Sequence, residues 1–576
     1  MLILYNFAAV YSFIFASSSR INQEMKLKNI TTTFFFAFLS FSLFSQDMAD
    51  YTGGWKGKIK TAKEFNLKVA IENLDSENPV FKIYNHRNII DQTFKKTNTP
   101  ELKISFSDNY IFEGIVSENG KEINGFIKSG LLLYHIKLVK SKANTFTGIW
   151  NLLMVDELKS LDFYLSVENG KGNDYQAYPI LGDNRFTGTW CSNFKKENDV
   201  IYFTDFKTGL QFKGQLFKNN IHLEVLLGEN LLTEIALQKS TTDWKIGGFA
   251  SPNKTSTLEL TEMENCIAKD SYPNTHSVLV SKNGKLIYEN YFQGYDANIP
   301  HDMRSSSKSI SSAVVGIAKD ELLFATVEQS IFDFLPEKYK CLKDSLKSKI
   351  DIQSLLTMSS GLDADDYTQE RTSLASENHY QPTDDWAKTV LKAPMLNTPN
   401  TAANYGSANP FLLGIAMDSV VSGPLELFMD QHLFQKLDIS NYIIQTDLQG
   451  TPYFGGGMYL TPKDMLKFGE LYLAKGKWKG RRVVSKQWVA NSFKEHHHLE
   501  NVPDKNGYGY LWWHHTYQVN GKPINSIEAR GAGGQYIFVI PELKTVAVIT
   551  SGNYTNGKTQ QPELIFEKHI LPYLKK

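Results

Sequence analysis

The sequence predicts an α+β fold, an antiparallel sheet flanked by helices, preceded by a separate all-β region. Three observations carry this. From about Tyr51 to Lys239 polar and apolar residues alternate in short runs broken by Gly and Asn, with no helical stripe. That stretch also repeats itself. From about Glu264 onward a hairpin, a helical middle and a returning hairpin follow one another, the order of a sheet that closes on its own first strands. At 576 residues the chain is too long for one ordinary core. Hydrophobic residues make up 42% and charged residues 21%, the composition of a folded protein. Lys+Arg and Asp+Glu both number 61, so there is no global electrostatic case for nucleic acid or an acidic membrane surface as partner.

Residues 1–46 read as a leader. Met25-Lys26-Leu27-Lys28 is a short basic start, and the apolar run Phe34 to Phe44 is too short to span a bilayer, so a secretory signal ending near Ser45-Gln46 is expected, with translation starting at Met25. No later run is long and apolar enough to cross a membrane, and an exported chain, periplasmic or secreted, without a stable span is the expectation. The three cysteines, Cys191, Cys266 and Cys341, are far apart and match no metal-ligand spacing. His496-His497-His498 beside Glu495 reads as a solvated helix face, and neither a metal nor a cofactor is expected.

Residues 47–240 read as two tandem β units. Tyr51-Thr52-Gly53-Gly54-Trp55 answers Phe146-Thr147-Gly148-Ile149-Trp150; Leu67 to Asn73 answers Asp162 to Asn169; Phe112-Glu113-Gly114 answers Phe212-Lys213-Gly214; Leu133 to Lys140 answers Leu232 to Lys239. Each unit is large enough for a small barrel or sandwich. Their aromatic residues suit a β core better than a groove, although contact with a glycan or another protein stays open. Residues 241–262, rich in Pro, Gly, Ser and Thr, read as a linker, and 263–576 as the second folded region. There Asn283-Gly284 marks a hairpin turn between Ser277 to Ser281 and Leu286 to Glu289. Asp351 caps a helix ending before Ser359-Ser360-Gly361, and two strands, Tyr536 to Ile540 and Thr545 to Thr550, precede a terminal helix, Pro562 to His569.

Ser305-Ser306-Ser307-Lys308 is the stretch with chemistry in it. Ile310, Ala313, Val314, Ile317 and Ala318 form the stripe of a helix buried on one face, which places Ser305 and Lys308 on one side of its first turn. A lysine there can take the serine's proton. The plain alternative is a helix N-cap beside a solvated lysine. Ser192-Asn193-Phe194-Lys195 and Ser251-Pro252-Asn253-Lys254 share the spacing, but the first follows the β-like run Phe186 to Trp190 and the second lies in a turn, so neither pairs its serine with its lysine.

Together with four further segments, this stretch resembles the serine β-lactamase and penicillin-binding superfamily, and within it the class C-like esterases and amidases similar to 6-aminohexanoate-dimer hydrolase. The segments are Leu355 to Leu362, Tyr405 to Gly414, Gly455 to Met465 and Gly531 to Tyr536, and the resemblance covers roughly Ser277 to Tyr573. It implies a β-lactamase-like domain with a helical subdomain, and a hydrolase working through an acyl-enzyme on Ser305. Lys308 accepts the proton and Tyr405 relays it to the leaving group. The N–H groups of Ser305 and Ala532 form the oxyanion hole, and Ser407, Gly531 and Gly533 face the substrate.

Two departures narrow the expectation. Tyr405-Gly406-Ser407 stands where the family has an Asn in third place, and Gly531-Ala532-Gly533 stands where it has Lys-Thr-Gly. The usual cation for a substrate carboxylate is therefore missing; Arg530 is a weak substitute. The expected substrate is a small ester or amide in an aromatic pocket drawn from Trp386, Tyr453, Tyr510 and Trp513. His514 and His515 are secondary candidates for a base. Two other readings remain: a cell-envelope binding protein with an inactive fold, and a D-amino-acid peptidase or β-lactamase.

Overall fold

The computed structural model describes residues 48–574 except 97–98, 108–109, 142–143, 170–174, 183–190, 218, 242–253, 369–371 and 555. The leader, the run Phe186 to Trp190 and Ser251-Pro252-Asn253 lie outside the described residues. The all-β region is present. The first repeat supplies β1 (Gly53–Lys58), β2 (Asn66–Glu72), β3 (Val80–Tyr84), β4 (Asn88–Thr93), β5 (Glu101–Ser107), β6 (Tyr110–Val116), β7 (Glu122–Ser129) and β8 (Leu132–Lys140). The second supplies β9 (Thr145–Asn151), β10 (Asp162–Asn169), β11 (Tyr175–Leu181), β12 (Cys191–Glu197), β13 (Val200–Asp205), β14 (Gln211–Phe217), β15 (Asn220–Leu227) and β16 (Asn230–Ser240). Alternating burial along β5, β14 and β15 shows one face packed and one facing water, the origin of the alternating sequence.

The repeats exchange their leading strands. One sheet runs β5-β6-β7-β8-β9-β2-β3-β4 and the other β12-β13-β14-β15-β16-β1-β10-β11. The strand opening the second repeat thus closes the first sheet, and the strand opening the first repeat closes the second. The equivalent Trp55 and Trp150 ride on these strands, both about 1% exposed. The period in the sequence reports two similar units; it carries no information on which unit each leading strand joins.

The α+β half is built on a nine-stranded antiparallel sheet. Its order is β17 (Thr255–Ser256), β19 (Lys285–Tyr291), β18 (Thr275–Lys282), β30 (Thr545–Ser551), β29 (Gln535–Ile540), β28 (Lys522–Gly531), β27 (Trp513–Val519), β26 (Gly507–Tyr508) and β25 (His497–His498). Asn283 and Gly284 both take positive φ, 54° and 72°, in the turn joining β18 to β19, the conformation that Asn-Gly favours. The end of the expected linker belongs to this sheet, because β17 pairs with β19 and the next helix begins at Thr261. A short ribbon, β23 (Lys477–Trp478) with β24 (Arg481–Arg482), stands apart from it.

The helix Lys308–Asp320 is buried on every side from Lys308 to Ala318, a correction to the one-faced stripe. It packs against the helix Ala408–Val420, and Gly316 leaves room for the Trp488 ring, which a Cβ would meet at 2.4 Å. Two of its buried serines bond backbone: Ser309 Oγ donates to Leu511 O at 2.7 Å and Ser311 Oγ to Ser307 O at 3.4 Å. His496-His497-His498 is likewise not a helix face. His497 and His498 form β25, and His496 stacks on Tyr510 with centroids 4.6 Å apart.

The first β sheet continues into the α+β half without a break. β8 pairs with β21 (Ile443–Gln445), β21 with β22 (Met458–Leu460), and β22 with β20 (His301–Asp302). Met303 N–H then donates to Met458 O at 2.8 Å. An unbroken hydrogen-bonded ladder therefore leads from the N-terminal repeat to the residue two places before Ser305. Among the described residues no single helix is long and apolar enough to cross a membrane.

Candidate active site

Ser305 lies in the 3-10 turn Arg304–Ser307 that leads into the helix, so it is not that helix's N-cap. It is partly exposed, whereas Lys308 is buried. The two meet as the tetrapeptide spacing requires: Lys308 Nζ is 2.7 Å from Ser305 Oγ. Nζ also contacts Ser407 Oγ at 3.2 Å and the Gly455 carbonyl. Three oxygen neighbours match the three protons of an ammonium. A neutral amine has two protons and a lone pair, so it can donate to Ser407 and Gly455 and accept from the Ser305 hydroxyl. Burial makes the neutral form accessible: it pushes the Lys308 pKa down to about 8, against the opposing pull of Glu377 and Asp366.

Tyr405 comes from the loop before the helix Ala408–Val420, and Lys308 Nζ lies 5.1 Å from its ring centre. Burial raises the phenol's pKa above its usual value, and Ser305 lowers it through a hydrogen bond. Asn501 holds the Tyr405 backbone at both ends, accepting from its N–H at 2.7 Å and donating to its carbonyl at 3.1 Å. Asp365 fixes the Asn501 amide at 2.6 Å. Beyond Lys308, Asp366 accepts from the N–H groups of Ser407 and Glu377 at 2.6 and 2.7 Å. Glu377 is half-buried and bonded by the Tyr453 hydroxyl at 2.7 Å, and desolvation raises its carboxyl pKa. None of Asn501, Asp365, Asp366 or Glu377 stands in a distinctive local pattern, so the sequence held no signal for them.

The edge of the β28–β29 hairpin lies beside the nucleophile turn. A Cβ on Gly531 would sit 2.2 Å from Met303 O and 3.1 Å from Ser306 N. This glycine lets the strand approach the turn, where any Cβ would collide. Gly533, with φ of +77°, packs under the Tyr554 ring. Ala532 between them is exposed, and among the described residues no hydrogen bond engages its N–H.

The expected pocket wall divides in two. Trp513 packs on Tyr405 with ring centres 4.9 Å apart, and the partly exposed Tyr367 meets both rings. Trp386 is fully buried, its indole N–H bonded to Gln381 O and its ring against Phe411 and Tyr453, so it is a core residue and does not line the cleft. Tyr453 and Tyr510 are buried as well; the Tyr510 hydroxyl bonds Gln353. Arg530 is sequestered by Glu528 at 2.7 Å and Glu563 at 3.2 Å, which removes it as a carboxylate binder. His514 and His515 lie further along β27, and none of their contacts involves Ser305, Lys308 or Tyr405.

A cavity of about 1240 Å³ opens elsewhere, between the first β sheet and residues 427–435. It contains none of these groups, and the candidate site at Ser305 rests on chemistry rather than volume. Among the described residues no three His, Cys, Asp or Glu side chains gather as metal ligands.

A sheet flanked by helices, with a serine on the 3-10 turn that leads into a buried helix and in contact with the lysine that begins it, fits the class of a serine hydrolase. The beta-lactamase family model matches residues 274–568. The chain belongs to the beta-lactamase family, as the five segments implied. It is 24% identical over 293 residues to the 6-aminohexanoate-dimer hydrolase of Paenarthrobacter ureafaciens, covering 48% of this chain and 71% of that one. Among solved structures it is similar to a D-stereospecific amidohydrolase from Streptomyces sp. (13% identity, TM-score 0.42, 54% of this chain and 99% of that one). A family VIII carboxylesterase is similar too (14% identity, TM-score 0.40, 53% and 94%).

Proposed function

We propose that this serine hydrolase is exported and cleaves an ester or amide through an acyl-enzyme on Ser305. The contact between the Ser305 hydroxyl and a buried Lys308 whose pKa is pushed down to about 8 carries the reading. Neutral Lys308 takes the hydroxyl proton as Oγ bonds to the carbonyl carbon. The oxyanion that forms accepts hydrogen bonds from the N–H groups of Ser305 and Ala532. Tyr405 passes the proton to the leaving alcohol or amine as the carbonyl–heteroatom bond breaks. Water then attacks the acyl carbon, and the same groups return the proton to Ser305. Ser407 and Gly455 keep the amine aimed at Ser305, and Trp513 with Tyr367 offers an aromatic flank to the substrate. An amide substrate agrees with what the Paenarthrobacter relative is named for, and export with the apolar leader after Met25.

A fluorophosphonate probe should label the protein at Ser305, and Ser305→Ala should abolish both labelling and p-nitrophenyl ester hydrolysis. Full activity in Ser305→Ala would overturn the assignment. Absence of labelling in the wild type would favour an inactive binding fold, and a penicillin adduct by mass spectrometry would favour the peptidase or β-lactamase reading.

A further inference from the structure

Arg304 precedes the nucleophile and is held in the left-handed region at φ of +49°, a conformation that is unfavourable for a long side chain. Strain beside a reactive group is retained when the position does something. The guanidinium lies at the surface: its side chain is 44% exposed, and its carbon lies 5.2 Å from the centre of the Tyr554 ring. Asp302 fixes the turn by accepting from Arg304 N–H at 3.0 Å, and its other oxygen meets Arg304 Nε at 3.1 Å. No hydrogen bond engages Nη1 or Nη2 among the described residues.

Asp302 would neutralise this arginine if it were alone with it, but a second cation claims the same carboxylate. Lys207, in the turn between β13 and β14 of the second repeat, places Nζ 2.9 Å from Asp302 Oδ2 and 2.9 Å from the Tyr459 hydroxyl. Two cations on one carboxylate leave an excess positive charge, and Arg304 is the exposed member of the trio while Lys207 and Asp302 are mostly buried. Among the described residues neither of the other carboxylates near the site, Asp366 and Glu377, forms an ion pair with Arg304. Asp366 is bonded by two N–H groups, and the half-buried Glu377 by Tyr453 and Gln381, both at one oxygen.

We propose that Arg304 binds a carboxylate on the substrate, replacing the cation absent from Gly531-Ala532-Gly533, and that Lys207 frees it to do so by holding Asp302. The inference rests on Ser305 being the nucleophile. It names the substrate class as an ester or amide carrying an anionic group near the scissile bond. It also gives the second β repeat a specificity-determining residue of the site.

The test compares kcat/KM for the p-nitrophenyl monoester of glutarate with that for p-nitrophenyl butyrate, and for 4-(butanoyloxy)benzoate with that for phenyl butyrate. The first pair places the carboxylate on the acyl side and the second on the leaving group. A charge-assisted contact should favour the anionic ester in one pair by about tenfold or more. Arg304→Asn, whose side chain tolerates the left-handed backbone, should bring that ratio to about one while butyrate hydrolysis persists. Arg304→Lys should restore part of it. Lys207→Met should lower it, because Asp302 then pairs with Arg304 alone. Equal rates within both pairs in the wild type would overturn the proposal. So would an unchanged ratio in Arg304→Asn, or its loss of activity on charged and neutral esters alike. Wild-type turnover that survives Ser305→Ala would instead remove the nucleophile assignment beneath it.

Discussion

The two N-terminal sheets each take in the other repeat's tryptophan strand at the same place, but the fourth strand of the repeat pairs differently, β4 with β3 and β12 with β13, and the sheets meet the α+β half in different ways. The first is fused to it through the β8–β21 ladder, whose far end is the strand before Ser305. The second reaches the same place through a hairpin whose Lys207 contacts Asp302. A backbone seam transmits position, because its hydrogen bonds fix register over several residues. One charged side chain transmits charge, and leaves the backbone it reaches where the seam has put it. Near-duplicate units in one chain can therefore take different duties, mechanical in one case and electrostatic in the other.

Removing the exchanged tryptophans tests whether the two sheets are one cooperative unit. Trp150→Ala and Trp55→Ala each delete a fully buried indole and should cost about 3–5 kcal/mol. Because each strand closes the other repeat's sheet, urea unfolding followed by fluorescence and by far-UV circular dichroism should move as a single transition in both variants. Separate transitions would show that the sheets unfold independently. Trp150→Ala should also slow turnover per folded molecule, because β9 lies next to the fused strand, whereas Trp55→Ala should leave it unchanged.

Cutting the seam sharpens the contrast. Ile444→Pro places an imide opposite Leu133 and Met458 and should destabilise by about 3 kcal/mol, with ester hydrolysis falling more steeply than folded fraction. An active variant with native kcat would show that the ladder does not position Ser305.

The smallest effect is on the pH profile. Lys308 must be neutral to accept a proton, and its pKa lies near 8, below its ordinary value. Ester kcat/KM should therefore rise with pH up to about 8, falling about tenfold per unit below it, and level off above. Trp55→Ala should leave this limb in place. A limb that stays at the ordinary lysine value would show that Lys308 is not the desolvated base.

The short-range parts of this molecule were legible in its residues. Alternation gave the β region, Asn283-Gly284 its hairpin, and the spacing of Ser305 and Lys308 its dyad, because each depends on neighbours within one turn or one strand. Tyr405 and Gly531-Ala532-Gly533 were legible only through resemblance, since no local rule brings residues 100 or 200 positions away to a serine. The stripe Ile310, Ala313, Val314, Ile317 and Ala318 marks only one face of the helix, and the other face tolerates burial as well because Ser309 bonds Leu511 O and Ser311 bonds Ser307 O. Trp386 was misassigned for a related reason: an indole suits a pocket wall and a core equally well, and only its neighbours decide.

By itself, then, the sequence determined two β repeats and a Ser-Lys pair, consequences of periodicity, turn chemistry and side-chain type, and through its resemblance to a known family a hydrolase half. Tertiary structure alone decided that the repeats exchange strands, that Gly531 makes room for the nucleophile turn, and that Lys207 and Arg304 share Asp302. Those outcomes depend on packing and charge between segments distant in the chain, where pairing partners are chosen by shape and desolvation that no local pattern encodes.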